Sequence, residues 1–203
     1  SGIMANAWAR TPGSKLACKI YVINTQTGAV LTSKTVTSQT SVDLSPYYTG
    51  DLTVYFDNVS SNKSQIMLYG GGTWSYGPTS QSLSGQYSIA AEFYPTSGEC
   101  DIDVWGGSYG YFSTLNNLTT TGHTWVNGSD NSTVSDEATN QNVIAIGAYS
   151  TKAKVTDHRG VSHSLPYTEG DIAYFSSYQE AGEGGTGEIL PHISAPGATV
   201  VSA

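Results

Sequence analysis

Between Lys15 and Gly106 apolar residues recur at every second position, in short runs separated by turn-forming residues. A period of two is what a half-buried strand writes into a sequence, because successive side chains point to opposite faces. Leu52, Val54 and Phe56 alternate with Thr53 and Tyr55, Tyr87-Ile89-Ala91-Phe93 line one side of a later run, and Cys18-Ile20-Val22 do the same earlier. Thr25-Gln26-Thr27-Gly28 separates Lys19–Asn24 from Ala29–Val36, with a glycine free to take positive φ. Ser45-Pro46 stops a short run over Ser41–Leu44, and Pro95-Thr96-Ser97-Gly98 turns the chain into Cys100–Trp105. Gln65–Tyr69 runs into Gly70-Gly71-Gly72, which reads as a flexible break. Short strands at this spacing predict a mainly β fold, an antiparallel jelly roll or β-sandwich.

Charge narrows the partners. Eight basic residues stand against 16 acidic ones, and the net charge of −8 repels phosphate backbones, so nucleic acid is excluded as a partner. No apolar run approaches the roughly 20 residues that cross a bilayer, and no charged-then-apolar leader opens the sequence. Cys18 and Cys100 are too few for a metal site. Cys18-Ile20-Val22 and Cys100-Ile102-Val104 are expected on inward strand faces, as small buried hydrophobes, with a disulfide open only to adjacent strands.

The pattern loosens after Gly106-Gly107-Ser108-Tyr109-Gly110, and residues 113–140 are polar enough to be loops. Val143–Ile146 then forms a continuous apolar run without alternation, as expected of a strand covered on both faces in a parallel sheet. This change divides the chain into a β-sandwich over residues 1–137 and a second segment over residues 138–203. Within the latter, Lys152–Gly170 reads as a loop or hairpin and Glu180–Glu188 as a turn region.

Three strings in that segment carry a resemblance. Asn142-Val143-Ile144-Ala145-Ile146-Gly147-Ala148, then Phe175-Ser176-Ser177, then Ile193-Ser194-Ala195-Pro196-Gly197 resemble, in order, the V-I-x-V-G-A, F-S-S-x-G and I-x-A-P-G strings of subtilisin-like serine peptidases (subtilases). Gln179-Glu180 stands where the family usually has Gly-Pro, and His192 where an acidic residue is common. Both positions shape loops. The resemblance implies a partial α/β catalytic-domain segment at 138–203, preceded by a jelly-roll-like insert. It implies peptide-bond hydrolysis by a secreted or cell-envelope serine endopeptidase, with peptide or protein as substrate and structural calcium as a family habit. Phe175, Ser176, Ser177, Ser194, Ala195, Pro196 and Gly197 would then flank the active site without being catalytic.

Acyl-transfer chemistry of this kind needs an aspartate, a histidine and a serine together with oxyanion donors. The family's D-[ST]-G, H-G-T and G-T-S-M-A strings do not occur here. The chain is therefore expected to be an internal fragment that ends before the serine segment and is inactive alone. It is also expected to lack parallel partners for Val143–Ile146, so that the tail strand packs elsewhere or self-associates.

The remaining candidates read as structural. None of His123, His158, His163 and His192 precedes Gly-Thr. His158-x4-His163, with Asp157 adjacent, lacks zinc-helix character. Asp101 and Asp103 alternate on a strand and fit a solvated face better than a calcium site. Gly70–Gly72 and the glycines from Gly182 to Gly187 lack the Lys-Ser/Thr of a phosphate loop. Trp8, Trp74, Trp105 and Trp125 raise an alternative function, a non-catalytic binding or adhesion module with carbohydrate as one candidate ligand. Trp74 and Tyr76 are its candidate platform. Sequons at Asn58, Asn62, Asn117, Asn127 and Asn131 matter only in a glycosylating pathway.

Overall fold

Among the described residues the first part of the chain forms eight strands. In the computed structural model they are β1 (Gly2–Ala9), β2 (Leu16–Asn24), β3 (Val30–Val36), β4 (Thr40–Ser41), β5 (Tyr48–Ser60), β6 (Lys63–Trp74), β7 (Tyr87–Pro95) and β8 (Ile102–Gly106). The structure describes residues 2–60, 63–74, 86–107, 128–129, 131–134, 136–140, 142–180 and 187–198. They belong to two compact units, Ser1–Gly128 and Ser129–Ala203.

In the first unit every strand pair is antiparallel. One sheet runs β4-β5-β6-β1-β8 and the other β3-β2-β7. The alternating residues of both sheets meet in one core that contains Ala5 and Ala7, Ile20 and Val22, Leu52 and Val54, and Ile66 and Leu68. Tyr87, Ile89, Ala91 and Phe93 pack against that core from β7, the side the period of two assigned to them. At the β2–β3 turn the Gly28 amide donates to the Asn24 carbonyl at 2.8 Å, and Gly28 takes φ +70°. Asn24 Oδ1 accepts from the amides of Gln26 and Thr27, so the side chain organises the turn as well.

Two expectations are corrected in this unit. Gly70–Gly72 are no break; they continue β6, paired with Leu52, Asp51 and Gly50. A Cβ on Gly70 would overlap the Asp51 carbonyl oxygen, so glycine here permits a close approach of β5. Val104 lies opposite buried Ala7 on the same face as Ile102, but β8 is an edge strand and leaves it exposed, where burial was expected. Cys18 is buried in β2 and Cys100 is half-buried just before β8. β2 and β8 belong to different sheets and both thiols are free, which removes the disulfide option.

Among its described residues the second unit contains a 3-10 turn over Asp136–Thr139 and four strands, β9 (Ile146–Ser150), β10 (Lys154–Thr156), β11 (Ser162–Ser164) and β12 (Ile193–Ala198). β10 and β11 form an antiparallel hairpin inside the stretch read as a loop or hairpin. β9 and β12 pair in parallel. This overturns the expectation that the apolar run has no parallel partner in the chain.

The run itself is also displaced. Val143 and Ile144 precede the strand and are exposed. Asn140 is the reason: its carbonyl accepts from the Val143 amide at 2.9 Å and its Oδ1 from Asn142, holding these residues in a turn. Burial then alternates, with Ala145 and Gly147 buried and Ile146 exposed, where coverage of both faces was expected. Among the described residues there is no α-helix, and no helix long and apolar enough to cross a membrane.

Candidate functional site

β9 and β12 set the frame on which the conspicuous strings meet. Their parallel register places Ser194 opposite Gly147, Ala195 opposite Ala148 and Pro196 opposite Tyr149. The register then shifts, so that Ala198 lies opposite Ser150 and Gly197 occupies the irregularity. A Cβ on Gly197 would come within 2.5 Å of Ala148 Cβ. Only glycine fits that approach. Pro196, with no amide to donate, sits beside the shift, where a ladder bond is dispensable.

The segment Asp171–Ser176 folds against the same strand. The Ser150 amide donates to the Asp171 carbonyl at 2.9 Å, and the Ala173 amide to the Ala148 carbonyl at 2.9 Å. A turn closed by the Ser176 amide on the Ala173 carbonyl (2.8 Å) swings the Ser176 hydroxyl back to β9. There Ser176 Oγ accepts from the Ala148 amide at 3.0 Å. Gly147 gives room for this junction, since a Cβ would lie 2.6 Å from Pro191 Cγ and 3.2 Å from Ser176 Oγ. The strings around Gly147, Ser176 and Ala195 are thus one packed piece.

Residues that depart from the family's usual pattern seal its rim. Gln179 is buried, exchanges backbone bonds in both directions with Leu190, and donates from Nε2 to the Glu188 carbonyl at 3.0 Å. His192 Nδ1 accepts from the Ala145 amide at 3.0 Å while its own amide donates to the Ala145 carbonyl at 3.0 Å. Its Nε2 lies 3.8 Å from Glu188 Oε2. An imidazole whose Nδ1 is an acceptor is fixed in one tautomer. His192 is therefore a clamp on the entry to β9. Sequence reasoning assigned it no such role, and the only available signal was its position before the A-P-G string.

Above this frame the surface is aromatic. Tyr174 is 78% exposed, and its ring stacks on Tyr167 at 5.8 Å with 15° between planes. Phe175 stands edge-on to both. Tyr167 was not singled out from the sequence, because no spacing rule links it to Tyr174-Phe175. Ser177 and Ser194 are exposed, and Ala195 is half-buried.

The other candidates resolve into local structure. Asp157 Oδ1 accepts from the amides of Arg159 and Val161, and Oδ2 lies 3.2 Å from His163 Nε2. The Val161 amide, the His163 side chain and the Arg159 contacts hold its carboxyl below the usual range, against a smaller opposing effect of burial. It braces the β10–β11 turn. Asp103 is engaged by Arg10 Nε at 2.6 Å, which disfavours a cation site with Asp101. Among the described residues no three His, Cys, Asp or Glu side chains converge as metal ligands. Trp74 is half-buried, edge-on to Tyr48 at 5.1 Å and to Tyr87 at 6.2 Å, so its ring packs within the first unit. Tyr76, Trp125, His123 and Gly182–Gly185 lie outside the described residues.

A model of the Subtilase family matches residues 75–203. The match reaches well upstream of the three strings. No curated protein and no solved structure gives a match.

Proposed function

This chain belongs to the subtilase family, and from that premise we propose that it is part of a secreted or cell-envelope serine endopeptidase, the part that walls the active site. The observation that carries this reading is the junction of Ala148, Ser176 and Gly197, where three strings distant in sequence bond and pack as one piece. Phe175, Ser176, Ser177, Ser194, Ala195, Pro196 and Gly197 serve as positioning residues. They fix the backbone beside which the nucleophile and the substrate peptide lie, and Phe175 offers a ring to the substrate.

The chemistry belongs to a triad whose family strings this sequence lacks. In the intact enzyme a histidine takes the proton of the nucleophilic serine, and the serine attacks the scissile carbonyl. An aspartate orients the imidazole, and water releases the acyl group. This chain alone is expected to be inactive.

Residues 1–137 act in this reading as a jelly-roll-like insert that restricts access, binds a partner or stiffens the catalytic domain. Nested antiparallel pairs, β1 with β8, β2 with β7 and β4 with β5, support a rolled-up arrangement of that kind. Residues 138–203 are the catalytic-domain segment. The test is hydrolysis of a fluorogenic peptide library by the intact protein. Turnover abolished by a serine-directed phosphonate is expected, and no cleavage of any member would overturn the reading.

A further inference from the structure

On the outward face of the five-stranded sheet the row Asp51–Gly71–Gly2 has a side chain at one position only. Bare backbone on β6 and β1 leaves a depression of about 320 Å³. Its wall is the next row, Thr53 opposite Tyr69, with Tyr55 beyond. The neighbours Leu52, Val54 and Leu68 are buried in the core, so Tyr55 (37% exposed) and Tyr69 (46% exposed) stand outward on a rigid sheet. A second depression of about 260 Å³ shares Tyr55 and is bounded by Gln39, Asp57, Gln65 and Met67.

The chemistry of this face is mixed in a particular way. Two phenol rings give flat apolar plates, while Asp51, Thr53, Asp57 and Gln65 give acceptors and donors around them. A pyranose ring has the complementary surface, C–H faces edged with hydroxyls. Among the described residues no Lys, Arg or His lines either depression, and the chain carries a net charge of −8, so an anionic ligand is disfavoured. An extended peptide would need an open strand edge for its backbone. The depression lies on the face of the sheet over β6, whose backbone is already paired with β5 on one side and β1 on the other.

We propose that this face binds a neutral oligosaccharide across at least two pyranose units, with Tyr69 and Tyr55 stacking on the sugar faces and Asp51 accepting from sugar hydroxyls. The site is independent of peptide hydrolysis and stands whether or not the triad acts.

The test is an amide NMR titration of the 203-residue chain with cellohexaose, xylohexaose, laminarihexaose and chitohexaose. Saturable shifts at Asp51–Tyr55 and Tyr69–Gly71 with at least one of them are expected. Tyr69→Ala should weaken that binding about tenfold, as loss of an aromatic anchor does, while Tyr69→Phe keeps most of it. Gly71→Gln, which fills the bare row, should abolish it and serves as the second variant should Tyr69→Ala fail to fold. No saturable shift with any of the four sugars, or binding unmoved by Gly71→Gln, overturns the proposal.

Discussion

The Ala148 amide donates to Ser176 Oγ at 3.0 Å, tying the middle of β9 to a hydroxyl 28 residues further along the chain. An edge of β9 that a third strand would otherwise pair is thereby satisfied by a side chain at this point. The turn that delivers Ser176 also projects Phe175 outward, so one hydrogen bond couples the strand to the aromatic surface.

Ser176→Ala should therefore leave the half-buried Ala148 amide without its acceptor. A stability loss of about 1 kcal/mol is expected, toward the low end for an orphaned donor. Hydrogen exchange at Ala148 should accelerate, while β2 and β6 amides stay as protected as before. Unchanged exchange at Ala148 would show that the hydroxyl is not its acceptor.

Gly197→Ala should force a methyl against Ala148 and cost about 1–3 kcal/mol by overpacking. Ala148→Gly in the same chain removes the Cβ that is struck, so the double variant should recover part of the loss. Strictly additive effects in urea denaturation would argue against that contact.

The two thiols should behave oppositely. Burial pushes the Cys18 thiol up to about 12, which suppresses its thiolate. Burial also raises Cys100, but donors from Thr11, Ser14 and Arg10 outweigh it and the net shift is downward. Iodoacetamide on the native chain should alkylate Cys100 and spare Cys18 until denaturant is added, as peptide mass mapping would reveal.

Much of the first unit was legible because its determinants are local. The Asn24–Ala29 turn, the alternation of Leu52-Val54-Phe56 and the inward face of β7 each follow from neighbouring residues. Gly70–Gly72 were misread because glycine carries no strand signal by itself. What demands it is Asp51, a partner across the sheet. The start of β9 was misplaced for a similar reason: apolar periodicity cannot register that Asn140 captures Asn142 and Val143 in a turn. The β9–β12 pairing joins residues some 47 apart, as in the His192–Ala145 bond, and no local pattern encodes it. The strings around Gly147, Ser176 and Ala195 were recognisable as text. Their packing into one piece was not.

The β10–β11 turn should respond to acid through Asp157. Its folded value lies below the ordinary 3.8, so its contribution is complete above that value and is lost as pH falls through the lower folded one. Amide shifts of Arg159 and Val161 should titrate together in that acid window, and Asp157→Ala should remove the transition. A midpoint above 3.8 would contradict the sign of the shift.

Membership of the subtilase family implies covalent serine chemistry, which active-site labelling reads out. The intact protein would be treated with a biotinylated fluorophosphonate, digested, and the modified peptide identified by mass spectrometry. One stoichiometrically labelled serine is expected, in a segment outside these 203 residues, with labelling lost on heat denaturation. A folded intact protein that takes up no label, or is labelled at Ser176, Ser177 or Ser194, would contradict that expectation.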